Sequence, residues 1–123
     1  MELPCIIAVD FDGTLCENAW PDIGKEFTDV INYILIRQQL GAKIILWTNR
    51  VGIYLERAIA WCSDRGLIFD AVNENLPEAV TAYGHDSRKI FADEYLDDSA
   101  AKGIDSFRQW KQQTGLRVQL ERD

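Results

Sequence analysis

The chain has 123 residues, 47% of them hydrophobic, which suits one domain with one core, and we expect a single domain over residues 1–123. Its 20 acidic and 13 basic side chains give a net charge of −7, which argues against general nucleic-acid binding, because proteins that bind polyanions usually carry a basic patch. No apolar run reaches the roughly 18 residues of a membrane span, and the first residues lack the pattern of a secretion signal. We therefore expect a cytoplasmic protein without membrane contact.

The three cysteines, Cys5, Cys16 and Cys62, are odd in number and form no CxxC pair, which argues against disulfides and a zinc site. Cys5 and Cys62 are expected to be small core residues. Cys16 directly follows "DGTL", but a nucleophilic role would need a histidine close in space, and the chain has only His85.

Strand and helix patterns alternate along the first half of the chain. "PCIIAVDF" predicts a strand buried on both faces, and "DGTLCENAWPDIG" predicts a loop. A helix is expected from Lys25, since apolar residues recur at helical spacing before Gly41, a helix-ending glycine. These positions are Phe27, Val30, Ile31, Ile34 and Leu35.

The alternation continues in the second half. "AKIILWT" predicts a second strand, and a helix follows that carries Leu55, Ala58, Ile59 and Cys62 on one face and stops at Gly66. The remaining segments are "LIFDAV", a short third strand; 73–89, a long loop with one short helix; "FADEYLDD", a fourth strand; "DSFRQWKQQTG", a helix with Asp105 as its N-cap; and "LRVQLE", an edge strand. This order predicts an α/β fold, a doubly wound three-layer sandwich with a mostly parallel central sheet.

In such sheets, ligands bind at the carboxyl ends of the strands, so functional residues are expected there. Asp10 and Asp12 follow the first strand, Thr48 follows the second, and Asp97 and Asp98 follow the fourth. Four converging carboxylates repel each other unless a cation binds or their pKa values rise, and an all-oxygen ligand set suits Mg²⁺. The alternative reading is that each acid is a solvated turn residue or a helix cap.

A Mg²⁺ site of this kind leaves room for phosphate. Thr48 offers a hydroxyl, the helix after it offers free backbone N–H groups, and Lys89 is the candidate cationic partner. Asp10, at the strand end, is the candidate nucleophile. Asp12 points the same way in an extended chain and is the candidate general acid and base.

The next two residues have their own predicted roles. Gly13 lets the chain turn sharply beside the phosphoryl site, and the hydroxyl of Thr14 is expected to hold that turn.

"DFDGTL" after an apolar strand, "ILWTN", a lysine and "YLDD" resemble the four motifs of the haloacid dehalogenase (HAD) superfamily, in its phosphatase branch, over residues 5 to 105. The resemblance implies a Rossmann-like core and a Mg²⁺-dependent phosphomonoester hydrolase that acts through an aspartyl-phosphate. Asp10 resembles the nucleophile and a metal ligand. Asp12 resembles the acid/base, whose backbone carbonyl also binds the metal. Thr48, with the Asn49 backbone amide, resembles the phosphoryl-binding motif.

The last two motifs lie near the end of the region that resembles the superfamily. Lys89 resembles the lysine that neutralises the nucleophile and phosphate, although it lies only nine residues before Asp98 and has Arg88 as its neighbour. Asp97 and Asp98 resemble the acidic pair. Asp98 aligns best with the direct metal ligand, which leaves Asp97 to act through water, and the division between them stays open.

Members of this superfamily differ in the cap domain that covers the site. The gaps between Asp12 and Thr48 and between Thr48 and Lys89 leave no room for one, so the chain resembles a small capless member. An open site implies either a large substrate or closure by a second copy of the chain. The substrate itself is expected to be phosphorylated, either a small molecule or a macromolecular end.

Two residues near the predicted phosphoryl site, Arg50 and Trp20, each have two possible roles. Arg50 either contacts the phosphoryl group or a substrate carboxylate, or forms a salt bridge within the fold. Segment 16–24 is expected to be a mobile flap, in which Trp20 either packs on a substrate or anchors the loop. Trp47 and Trp61 fall on apolar stripes and are expected in the core.

Two other functions compete with hydrolysis. A receiver-like signalling domain would also use an acidic Mg²⁺ pocket, but its accepting aspartate follows the third strand, where the sequence offers Asp70 without the rest of the pattern. The other alternative is a non-catalytic scaffold that keeps the fold and binds a partner.

Overall fold

The computed structural model describes residues 4–84, 86 and 90–96. Within them it has a mixed α/β architecture. The elements in chain order are β1 (Ile6–Val9), β2 (Cys16–Ala19), β3 (Asp22–Glu26), α1 (Thr28–Gln39), β4 (Lys43–Leu46), α2 (Gly52–Ser63), β5 (Ala71–Val72), α3 (Pro77–Tyr83) and β6 (Glu94–Leu96).

The main sheet has four strands in the order β5-β4-β1-β6, and all three pairings are parallel. The α/β class and the mostly parallel sheet are thus confirmed. Val9, the last residue of β1, pairs with Leu46 of β4 on one side and with Leu96 of β6 on the other. The connections run from β1 to β4 and β5 on one side and then return to β6, so strand order reverses between β1 and β6. Ligands bind parallel sheets at such a reversal.

Alternate residues of the strands face two separate apolar clusters, as expected for strands buried on both faces. Ile7 and Val9 of β1 pack in a cluster with residues of α1 and α2, such as Ile34 and Cys62. Ile6 and Ala8 pack in the other cluster, which contains Ala79 of α3.

Two corrections concern the segment after β1. The predicted loop "DGTLCENAWPDIG" contains a two-stranded antiparallel hairpin, β2 and β3, in which Asn18 pairs with Ile23 and Ala19 with Asp22. Because β3 extends to Glu26, α1 begins at Thr28 and not at Lys25. The sequence does not indicate the hairpin, because three of the four residues of β2 are exposed and show no apolar alternation.

The third strand is shorter than "LIFDAV" because the side chain of Asp70 replaces part of the ladder. The Asp70 carboxylate accepts a hydrogen bond from the backbone N–H of Ile44 at 2.8 Å, and the Asp70 N–H donates to the Ile44 carbonyl at 2.8 Å. Only Ala71 and Val72 then form β5.

The other predicted helices and strands have mixed outcomes. The helix after β4 begins at Gly52, after a short loop, and the short helix predicted within 73–89 is α3. The predicted helix "DSFRQWKQQTG" and strand "LRVQLE" lie outside the described residues. No helix in the described part of the chain is long and apolar enough to cross a membrane.

Candidate active site

Asp10 is the first residue after β1 and lies at the carboxyl edge of the sheet. Its backbone N–H donates to the carbonyl of Leu96 at 2.9 Å, which ties it to the end of β6. Its carboxylate accepts a hydrogen bond from the N–H of Phe11 at 2.7 Å. The side chain is half-buried, so Asp10 combines a rigid backbone with access from the edge of the sheet.

The turn after Asp12 is held by backbone hydrogen bonds. Gly13 adopts φ 84°, in the left-handed region that glycine tolerates, and its N–H donates to the Cys16 carbonyl at 2.9 Å. The N–H of Thr14 donates to the Phe11 carbonyl at 3.2 Å. The Thr14 hydroxyl is buried and has no hydrogen-bond partner among the described residues, so the structure does not show the contact predicted for it.

Asp12 forms a two-point ion pair with Arg50. The Nε and Nη2 atoms of Arg50 donate to the two carboxylate oxygens of Asp12 at 2.8 and 2.7 Å. This is the parallel fork geometry in which arginine binds carboxylates most strongly. The pair joins residues that are 38 positions apart in the sequence and fixes the Asp12 carboxylate against the loop after β4.

Among the residues that the structure describes, Arg50 has the largest fully buried side chain, with 1% of its surface exposed. Its guanidinium carbon lies 4.9 Å from the ring centroid of Phe11 and 5.0 Å from that of Trp20. The hydrogen bonds to Asp12 raise the pKa of Arg50 above its usual value, so the side chain stays charged. Of the two readings of Arg50, the structure shows the salt bridge within the fold, and its contact with a phosphoryl group stays a prediction.

Thr48 lies two residues beyond Leu46, the last residue of β4 that pairs with β1. Trp47, between them, donates its N–H to the Val9 carbonyl at 2.8 Å, so Thr48 follows at the same edge as Asp10. The Thr48 hydroxyl accepts the N–H of Arg50 at 3.1 Å and keeps its own hydrogen for another acceptor. Asn49 is exposed at this edge, as a backbone amide open to a ligand would require.

Asn73 also lies at this edge and is not among the predicted site residues. Its side-chain oxygen accepts the N–H of Thr48 at 2.8 Å, and its own N–H donates to the Leu46 carbonyl at 2.7 Å. It has a positive φ of 54°, a conformation that asparagine adopts more readily than most residues. The signal was available, since Asn73 is the first polar residue after the third strand, the position that singled out Asp10 and Thr48 on their own strands.

The remaining predicted ligands, Lys89, Asp97 and Asp98, lie outside the described residues, as does His85. Leu96, which precedes Asp97 in the sequence, pairs with Val9, which precedes Asp10. Among the residues that the structure describes, no group of three or more His, Cys, Asp or Glu side chains forms a metal cluster.

The hairpin forms the rim of the site. Trp20 is 53% exposed near its tip and lies 5.0 Å from the ring of Tyr54 at the start of α2.

The residues predicted in the core have different outcomes. Trp47 is 39% exposed because it follows the last residue of β4 and passes beyond the buried part of the sheet. Trp61 packs against the core as expected. Cys16 is a fully buried core residue. Burial raises the pKa of its thiol, so it is a poor nucleophile.

Comparisons with known proteins give one informative match. No profile of a known protein family matches the chain, and no curated protein matches it. The solved structure of a conserved protein from Bacteroides thetaiotaomicron is 37% identical in sequence and superposes with a TM-score of 0.71, over 88% of this chain and 90% of that one. At this identity and coverage, the chain belongs to the same family as that conserved Bacteroides protein.

Proposed function

We propose that the protein is a Mg²⁺-dependent phosphomonoester hydrolase with a doubly wound, capless HAD-type core, and that it acts through an aspartyl-phosphate on Asp10. One observation carries the proposal: the strand register that pairs Val9 with both Leu46 and Leu96. This register puts Asp10 at the reversal of strand order, beside the loop that carries Thr48 and beside the strand whose sequence continues into Asp97.

The proposed reaction has two steps. In the first, an Asp10 carboxylate oxygen attacks phosphorus, the bond to the ester oxygen breaks, and Asp12 donates a proton to the departing alcohol. In the second, Asp12 removes a proton from water, the water oxygen attacks phosphorus, and the bond to Asp10 breaks. Inorganic phosphate leaves, and both aspartates return to their starting states.

The donors near Asp10 fit Mg²⁺ in kind, because they are hard oxygen atoms without nearby histidine in the described part of the chain. The Asp10 carboxylate and the Asp12 backbone carbonyl would hold the ion, and Asp98, with Asp97 through water, would complete the ligand set. When bound, the ion would offset the negative charge of the phosphoryl group. The Asp12 carboxylate is not needed as a ligand and is held by Arg50.

The substrate is proposed to be a phosphate ester, either a small molecule or a phosphorylated macromolecular end. The segment between Asp12 and Thr48 contains only the hairpin, α1 and β4, so it holds no inserted cap domain. Thr48 and Asn49 are the proposed phosphoryl ligands, with Gly13 beside them and Lys89 as the cation. Closure of the open site by a second copy of the chain is part of the same proposal.

The contacts of Asp70 argue against a receiver-like domain. A receiver would present its accepting aspartate after the third strand, whereas Asp70 precedes β5, accepts the N–H of Ile44 and lies 3.9 Å from the ammonium of Lys43. The scaffold alternative predicts the same fold without turnover.

The proposal is tested by hydrolysis of p-nitrophenyl phosphate and of a panel of sugar phosphates, nucleotides and phosphorylated oligonucleotide ends. We expect turnover that requires Mg²⁺, stops with EDTA, and is abolished in Asp10→Asn but kept in Asp64→Asn, an exposed aspartate at the end of α2. Absence of turnover across the whole panel would favour the scaffold reading.

A further inference from the structure

Every N–H group of the Arg50 guanidinium has an acceptor. A guanidinium carries five such donors. Nε and Nη2 donate to the Asp12 carboxylate at 2.8 and 2.7 Å, and Nη2 also donates to the carbonyl of Asp22 at 2.8 Å. Nη1 donates to the carbonyls of Pro21 at 3.3 Å and Tyr54 at 3.4 Å. Five donors thus meet five acceptors, and none remains for a phosphoryl group.

These acceptors belong to three different parts of the fold. Asp12 follows β1, Pro21 and Asp22 form the end of the hairpin, and Tyr54 lies in the first turn of α2. The guanidinium lies close to the rings of Phe11 and Trp20 and is buried on its own side of the ion pair, whereas the Asp12 side chain stays 18% exposed. The guanidinium is planar and rigid, so its two parallel hydrogen bonds fix both the plane and the position of the Asp12 carboxylate.

We infer that Arg50 is a positioning residue: it orients the Asp12 carboxylate for proton transfer and locks the hairpin end to it, and it does not bind the phosphoryl group. This inference rests on the proposed hydrolysis, in which Asp12 exchanges a proton with the leaving alcohol and then with water. Among Asp10, Asp12 and Thr48, the Arg50 side chain contacts only Asp12, while the backbone N–H groups of Asp10 and Thr48 are bound by Leu96 and Asn73.

The inference predicts a dependence on the leaving group. An alkoxide is a poor leaving group that needs a proton as the ester bond breaks, whereas p-nitrophenolate leaves readily without one. A displaced Asp12 therefore slows the first step for alkyl esters much more than for p-nitrophenyl phosphate. Displacement of a reacting group by about 1 Å costs on the order of 100-fold in rate.

The test compares Arg50→Lys, Asp12→Asn and the double variant on p-nitrophenyl phosphate and on a simple alkyl phosphate. Lysine keeps the charge but cannot form the fork. We expect Arg50→Lys to lower kcat for the alkyl ester on the order of 100-fold, to lower it much less for the aryl ester, and to leave KM nearly unchanged for both. In the Asp12→Asn background the same change should have little further effect. Arg37→Lys is the matched control, since Arg37 also pairs with a carboxylate, that of Glu94 at 3.0 Å, and lies over an aromatic ring, 5.4 Å from the Tyr33 centroid. Glu94 is the first residue of β6, at the opposite end of that strand from Leu96.

Other outcomes separate the two claims. An inactive wild-type protein contradicts the proposed hydrolysis itself. An active wild-type protein in which Arg50→Lys raises KM, or slows both esters equally and adds fully to Asp12→Asn, contradicts only the positioning role. If Arg50→Lys does not fold, hydrogen exchange of the Arg50 Nε–H is measured in the wild-type protein and in Asp12→Asn. Slow exchange that becomes fast in Asp12→Asn supports the inference, and exchange unchanged by that substitution overturns it.

Discussion

Asn73 gives a graded test of how the phosphoryl-binding edge is built. Its side-chain oxygen accepts the N–H of Thr48 at 2.8 Å, and its backbone has φ 54°. Three substitutions separate these two contributions. Asp keeps the acceptor and tolerates the conformation, Gly keeps only the conformational freedom, and Ala keeps neither.

The expected losses follow from the two terms. A hydrogen bond of this kind contributes about 1 kcal/mol net. A left-handed conformation costs an L-residue about 1 kcal/mol or more relative to glycine. We therefore expect Asn73→Asp to unfold close to wild type, Asn73→Gly to lose about 1 kcal/mol, and Asn73→Ala to lose about 2 kcal/mol.

The assay is urea unfolding followed by far-ultraviolet circular dichroism, with the slope of each transition compared to confirm the same two-state behaviour. Equal stabilities of the Ala and Asp variants would refute the reasoning, because neither the acceptor nor the backbone conformation would then matter. The order Asp, Gly, Ala should also hold for kcat, since Thr48 depends on this contact.

Three further predictions concern stability. In Gly24→Ala the new Cβ would lie 2.3 Å from the backbone oxygen of Glu17, so we expect a loss of about 1–3 kcal/mol and faster hydrogen exchange in the hairpin amides; wild-type exchange rates there would contradict the hairpin geometry. Tyr33→Phe removes the buried hydroxyl that donates to Glu94 at 2.7 Å, and thermal unfolding should show a loss of about 1–3 kcal/mol; an unchanged midpoint would show that this bond contributes nothing net. Burial raises the pKa of Cys62 to about 12 from 9.0, so the unfolded chain loses this proton first. Its contribution to the free energy of unfolding should fall by about 1.4 kcal/mol per pH unit between pH 9.0 and about 12, and Cys62→Ala should remove that part of the slope, whereas an equal slope in the variant would argue against it.

The sequence predicted the sheet well because its central strands are continuous apolar runs. Ile7 and Val9 face one cluster while Ile6 and Ala8 face the other, and a continuous apolar run is typical of strands buried on both faces. Because each apolar run ends at a recognisable residue, the sequence also placed Asp10 and Thr48 at strand ends. The register of β1 with β4 brings both residues to the carboxyl edge of the sheet.

Other features had no local signal. The pairing of Asp12 with Arg50 spans 38 residues and depends on how the loop after β4 meets the hairpin. The hairpin itself consists mostly of exposed residues, and its pairing is made by the backbone, which the side-chain pattern does not report. The truncation of β5 results from one carboxylate, that of Asp70, which takes the place of a strand residue.

The central claim is that Asp10 carries the phosphoryl group during turnover. It is tested most directly by mass spectrometry of Asp12→Asn, quenched in acid after incubation with p-nitrophenyl phosphate and Mg²⁺, with Asp10→Asn/Asp12→Asn as the control. Since Asp12→Asn lacks the base that activates water, we predict a phosphoryl group that accumulates on the peptide containing Asp10 and is absent from the double variant. Wild-type turnover with no such adduct, or with the phosphoryl group on another residue, would contradict the account.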